Sequence, residues 1–188
     1  MVKTPEEAMG WIRRHRIALQ AAKVEGVPSL AHEIVQGPIK GSWWGHPMGK
    51  VIFALATHVT GSGEVLALKL IEGKTTYVHR ALWPALVRVL LDPGWRGPRV
   101  AALRDGAKRL FAEVEREGEV RDADAKAVKA LEDGVLALVV SHHTARGHHE
   151  KVLTSWSRWA KTAGVKGEGT FDAALLELRA AAHGAEIL

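Results

Sequence analysis

The sequence predicts a mainly helical protein: three helices, a β-hairpin, and a helical C-terminal part. Three observations lead there. Mostly apolar residues recur at helical spacing over most of the chain, as in Trp11, Ile12, Leu19 and Ala22, with His15 in the same stripe. One segment, residues 65–79, has two β-prone runs around Glu72-Gly73-Lys74, a turn signal. The apolar content of 47% and charged content of 25% are those of a folded chain rather than a disordered one.

The elements follow in order. Thr4-Pro5-Glu6-Glu7 is a helix start, with Thr4 as N-cap, Pro5 in the first turn and Glu7 closing a capping box. The helix runs toward Gly26, and Arg13, Arg14 and Arg16 flank its apolar stripe. Pro28-Ser29-Leu30 opens a short second helix that runs through Val35 and is stopped by Gly37-Pro38. A third begins near His46-Pro47, lined by Ile52, Leu55, Ala56 and Val59, and ends at Gly61-Ser62-Gly63. Strands 65–71 and 75–79 make the hairpin. Helices are then expected over 82–91, 100–117, 122–140, 149–163 and 171–182, with no internal repeat. The Pro- and Gly-rich stretch from Asp92 to Pro98 divides the chain into two parts, 1–93 and 94–188, the second packed against the first.

The order of three helices and a hairpin over roughly residues 4–80 resembles a winged helix, a helix-turn-helix variant. That resemblance implies a recognition helix at 46–59 in a DNA groove and a wing at Glu72-Gly73-Lys74 on the backbone.

Charge and chemistry narrow the function classes. Residues 1–100 carry 13 Lys+Arg against 7 Asp+Glu, and residues 101–188 carry 13 against 14. A basic N-terminal half favours a polyanionic partner. The chain has no cysteine, which excludes disulfides, zinc-thiolate sites and thiol catalysis. The longest apolar run, 135–140, is too short to span a bilayer, and the N-terminal residues lack a signal-peptide core. A cytoplasmic protein without membrane partners is the expectation. There is no P-loop, dinucleotide fingerprint or nucleophile elbow, and no cofactor is expected.

The segment GSWWGHPMGK, residues 41–50, places two tryptophans between glycines and near lysines. Two readings fit. The indoles fill a gap between hairpin and helices, or one is exposed and stacks on a nucleobase while Lys40 and Lys50 hold phosphates. His46 caps the following helix or faces the bound anion. The nucleic-acid reading, with duplex DNA as partner, assigns phosphate contacts to Arg13, Arg14, Arg16, Lys40, Lys50, Lys74 and Arg80. It gives Trp43 or Trp44 the base or sugar, and Thr57 and His58 the base edges.

Residues 141–150 hold four histidines and Glu150. Their spacing matches no helical zinc motif, so no metal site is assigned. As general acid–base groups, His143, His149 and Glu150 are candidate catalytic residues, together with His46, for an enzyme with a histidine-lined pocket. A solvated helix junction is the other reading of this cluster. A third class is an interaction module in which the helices pair with a second copy as a homodimer.

Overall fold

The computed structural model describes residues 1–143 and 149–187, with the backbone alone for His142, His143 and His149. It divides into two compact units, Met1–Trp83 with Leu176–Leu188, and Pro84–Leu175.

In the first unit, α1 (Pro5–His15) starts on the expected capping box. The Thr4 hydroxyl accepts from the Glu7 N–H at 3.2 Å, and the Glu7 carboxylate accepts from the Thr4 N–H at 3.1 Å. Helix α1 buries Ala8, Met9, Trp11 and Ile12. It ends earlier than the sequence indicates. Arg16 takes a positive φ of 59° and turns the chain into β1 (Ile17–Leu19), all three residues of which are buried. Helix α2 (Leu30–Val35) and helix α3 (Gly49–Gly61) follow. The hairpin is β2 (Val65–Ile71) and β3 (Lys74–His79). Its two turn residues, Glu72 and Gly73, have φ of 47° and 64°, the doubly positive geometry that matches the twist of the strands it joins. The sheet is antiparallel in the order β1-β3-β2, with Ile17 opposite Val78 and Ala67 opposite Tyr77. Helix faces and sheet enclose a core that includes Trp11, Ile12, Leu30, Ile34, Ile52, Leu55, Val59 and Tyr77.

The second unit contains most of α4 (Trp83–Leu90), then α5 (Pro93–Ala101), α6 (Asp105–Glu117), β4 (Glu119–Arg121) and α7 (Ala125–Asp133). After these come β5 (Leu138–His143), β6 (His149–Thr154), α8 (Trp156–Ala163) and the start of α9 (Phe171–Ala181). Its sheet is again antiparallel and three-stranded, in the order β4-β6-β5. The strand order of the first unit therefore recurs, with a short strand pairing to the second arm of a later hairpin. Leu110, Val114, Val128, Leu131, Leu136 and Leu153 form a core here. Trp156 is fully buried and donates its indole N–H to the Val135 carbonyl at 2.8 Å.

The expectation of a mainly helical protein with one hairpin is corrected. The fold is mixed α and β, with two three-stranded antiparallel sheets among the described residues. The C-terminal part is not all-helical: 138–143 and 149–154 pair as strands, with Val140 opposite Val152. The helix expected over 122–140 stops at Gly134, and Val135 adopts a φ of 52°, a position a β-branched residue takes only when its surroundings hold it there. Within the Pro- and Gly-rich stretch Asp92 to Pro98, α5 begins at Pro93: the extended Asp92 accepts on its carboxylate from the N–H groups of Gly94 and Trp95 and caps the helix. Among the described residues, no helix is long and apolar enough to cross a membrane.

Candidate nucleic-acid interface

The tryptophan pair sits in a 3-10 turn, Trp43–Gly45, whose geometry is fixed locally. The Ser42 hydroxyl accepts from the Trp44 N–H at 3.3 Å. The His46 N–H donates to the Trp43 carbonyl at 3.1 Å, and the Gly49 N–H donates to the His46 carbonyl at 2.7 Å. The His46 ring takes part too, since its Nδ1 accepts from the Met48 N–H at 3.2 Å. Gly49 is the residue that allows this close approach. A Cβ there would lie 2.9 Å from the Trp44 carbonyl oxygen and 3.0 Å from that of Trp43. Gly41 and Gly45, which flank the pair, have open space where a Cβ would stand.

Tight winding brings adjacent rings together, where an extended chain would send them apart. The indoles of Trp43 and Trp44 stack with centroids 4.1 Å apart and planes 25° from parallel. Trp43 is half-buried against the core of the first unit, and Trp44 is 63% exposed. Phe53 leans on Trp44 at 5.2 Å and is itself 49% exposed. The two sequence readings are thus divided between the two residues: Trp43 packs, Trp44 faces solvent.

The exposed side of α3 continues from this cluster. Lys50, Phe53, Ala54, Thr57 and His58 are exposed at helical spacing and form one solvent stripe. From residue 34 to residue 63 the chain has no Asp or Glu. At the far end of the stripe His58 lies within electrostatic reach of Glu6, whose carboxyl is held below its ordinary range chiefly by backbone and Thr4 hydrogen bonds.

Two open clefts border the tryptophan turn. One, of about 520 Å³, is lined by Lys40, Ser42, His46 and neighbouring prolines and glycine. The other, of about 300 Å³, lies between Trp43 and the hairpin turn and is lined by Lys69, Lys74 and Thr75 among others. Lys69 donates to the Thr75 hydroxyl at 3.2 Å. Lys40, Lys50 and Lys74 are exposed and make no ion pair among the described residues.

The arginines lie elsewhere. The Arg16 carbonyl accepts from the His79 N–H at 2.8 Å, which puts Arg16 at the end of the sheet opposite the hairpin turn. Lys74 and Arg80 are separated by the length of β3, about 20 Å at the usual strand rise. Arg13 forms a bidentate pair with Glu64, at 2.7 and 3.2 Å. His79 adds a contact to the same carboxylate at 3.4 Å. These hydrogen bonds, from Arg13 first and His79 second, hold the Glu64 carboxyl down at about 2. Arg16 faces Glu177 at 3.8 Å. Arg14 and Arg80 are exposed. The structure brings Lys40, Trp43, Trp44, His46, Lys50 and Lys74 together and places Arg13, Arg16 and Arg80 apart from them. Phe53 and Lys69 join the first group without having been singled out in the sequence. Phe53 reads as an apolar helix residue, and Lys69 sits inside an apolar strand run.

The candidate catalytic histidines divide between the units. His46 belongs to the first, and His143, His149 and Glu150 to the second. His143 and His149 are opposite each other in the β5–β6 ladder. The side chains of both, and the rest of the cluster at 144–148, lie outside the described residues. Glu150 is half-buried and faces Arg121 at 3.7 Å. No group of three or more potential metal ligands occurs among the described residues.

No protein-family model matches the chain, and no curated protein and no solved structure matches it.

Proposed function

We propose that the protein binds nucleic acid, with duplex DNA as its partner, through the Trp43–Trp44 turn and the solvent stripe of α3. The observation that carries this reading is the exposed indole of Trp44, stacked on an anchored neighbour beside exposed lysines, in a segment, residues 34–63, that holds no Asp or Glu. Aromatic faces interleaved with free cations are what nucleic-acid binding requires: phosphates supply the affinity and bases supply the stacking surface. Lys40, Lys50 and Lys74 contact phosphates. The Lys50 end of α3 adds the positive pole of a helix to the same place. Thr57 and His58, further along the stripe, face base edges. Arg14 and Arg80 remain available for outlying phosphates. Arg13 and Arg16 are engaged by Glu64 and Glu177 and contribute less.

Fluorescence anisotropy with a short labelled DNA duplex tests the proposal. The protein should bind at low salt and release the duplex as salt is added. The double substitution Lys40→Glu with Lys50→Glu should weaken binding by roughly tenfold or more at unchanged circular dichroism. Equal affinity of the double variant and the parent would remove the proposed surface from the contact.

A further inference from the structure

We infer that the Trp44 ring is a stacking platform for an unpaired base, so that the preferred ligand is a duplex interrupted by an unstacked nucleotide. This rests on the nucleic-acid reading above and goes beyond it in naming the substrate class.

The argument starts from what the ring offers. Trp43 covers one face of Trp44, and Phe53 leans against it, yet 63% of Trp44 is open. The support is rigid. Trp43 is packed against the core, Ser42 and His46 fix the turn by hydrogen bonds, and the first turn of α3 presses on both tryptophan carbonyls at Gly49. An aromatic surface already held in place loses little conformational freedom when a second ring adds to it. A base in an intact duplex is covered on both faces by its neighbours, and exposing one costs a few kcal/mol. A bulged base carries little of that cost. The lysines suit the same ligand: Lys40 lines one cleft beside the turn, and Lys69 and Lys74 line another together with Trp43, the ring on which Trp44 is stacked, so cations for the flanking phosphates stand near the platform.

The experiment compares two labelled duplexes that differ by one extra unpaired adenine. The bulged duplex should bind about 5- to 100-fold more tightly, the range expected from stacking one base on an aromatic ring. Trp44→Ala should cost the bulged duplex that factor beyond whatever it costs the intact one, and Trp44→Phe should recover part of the difference. Equal binding of the two duplexes by the parent protein overturns this inference and leaves the nucleic-acid reading standing. Binding to neither overturns both. A dimer in light scattering that Trp44→Ala dissociates, without any nucleic-acid binding, assigns the ring to a second copy and likewise overturns both.

Discussion

Glu64 accepts hydrogen bonds from two partners, and its titration follows from that. The Arg13 guanidinium, first, and the His79 ring hold its carboxyl at about 2, against an ordinary value of 4.5. A carboxyl depressed in the folded state stabilises it fully above the unfolded value and loses that contribution as pH falls through the folded one. Stability to urea should therefore fall between pH 4.5 and pH 2 in part through this group. Glu64→Gln should lower stability at neutral pH and flatten that acid limb; an unchanged limb would show that Glu64 titrates alike in both states. The tryptophans make a contrasting pair. Trp43→Ala removes half-buried packing and should destabilise by about 1–3 kcal/mol. Trp44→Ala should stay within about 0.5 kcal/mol, as surface substitutions do, while weakening nucleic-acid binding. Thermal melts of both variants check the order. The pair stood out in the sequence because two indoles between glycines are costly to expose. Which of them was free could not be read there. It depends on the 3-10 turn, set by the Ser42 cap and the Gly49 contact, and neither residue announces that role by type alone.

Among the elements, those with strong local signals were legible. The β2–β3 hairpin has two β-prone runs and a turn whose glycine takes positive φ, and α1 has a complete capping box at its start. The missed elements lack such signals. Strand β1 is buried at all three positions, so it has no alternation to separate it from the end of α1. Strands β5 and β6 read as helix because short apolar runs such as Leu138-Val139-Val140 fit either period, and pairing of β6 with β5 and with the distant β4 decided the outcome. The start of α3 yields a prediction at this scale. A methyl group at residue 49 would press on the backbone carbonyls of both tryptophans, which cannot yield as a flexible side chain would. Gly49→Ala should cost about 1–3 kcal/mol of stability and loosen the ring stack. A lowered melting temperature together with altered tryptophan emission is the expected result, and a variant matching the parent in both would mean the turn can move away from α3 without loss.

For the molecule as a whole, the charge distribution changes once it is divided by compact units rather than by sequence halves. The first unit carries 11 Lys+Arg against 8 Asp+Glu, and the second carries 15 against 13. The basic N-terminal half is therefore not a basic unit. The closing residues of the chain bring Glu177 and Glu186 to the first unit, and Arg88, Arg96 and Arg99 fall in the second. A global field cannot carry the proposed binding. Local lysines must, and the salt dependence measures how many. Each neutralised phosphate contributes about 0.9 to the slope of log affinity against log salt. Lys40, Lys50 and Lys74 acting together predict a slope of about −3, far shallower than a broad basic surface would give. Lys74→Glu should reduce the slope by about 1. Lys126→Glu, at an exposed position in the second unit, removes the same formal charge from the molecule and should leave the slope unchanged. If both substitutions flatten it equally, net charge rather than the lysine-framed tryptophan turn governs the association.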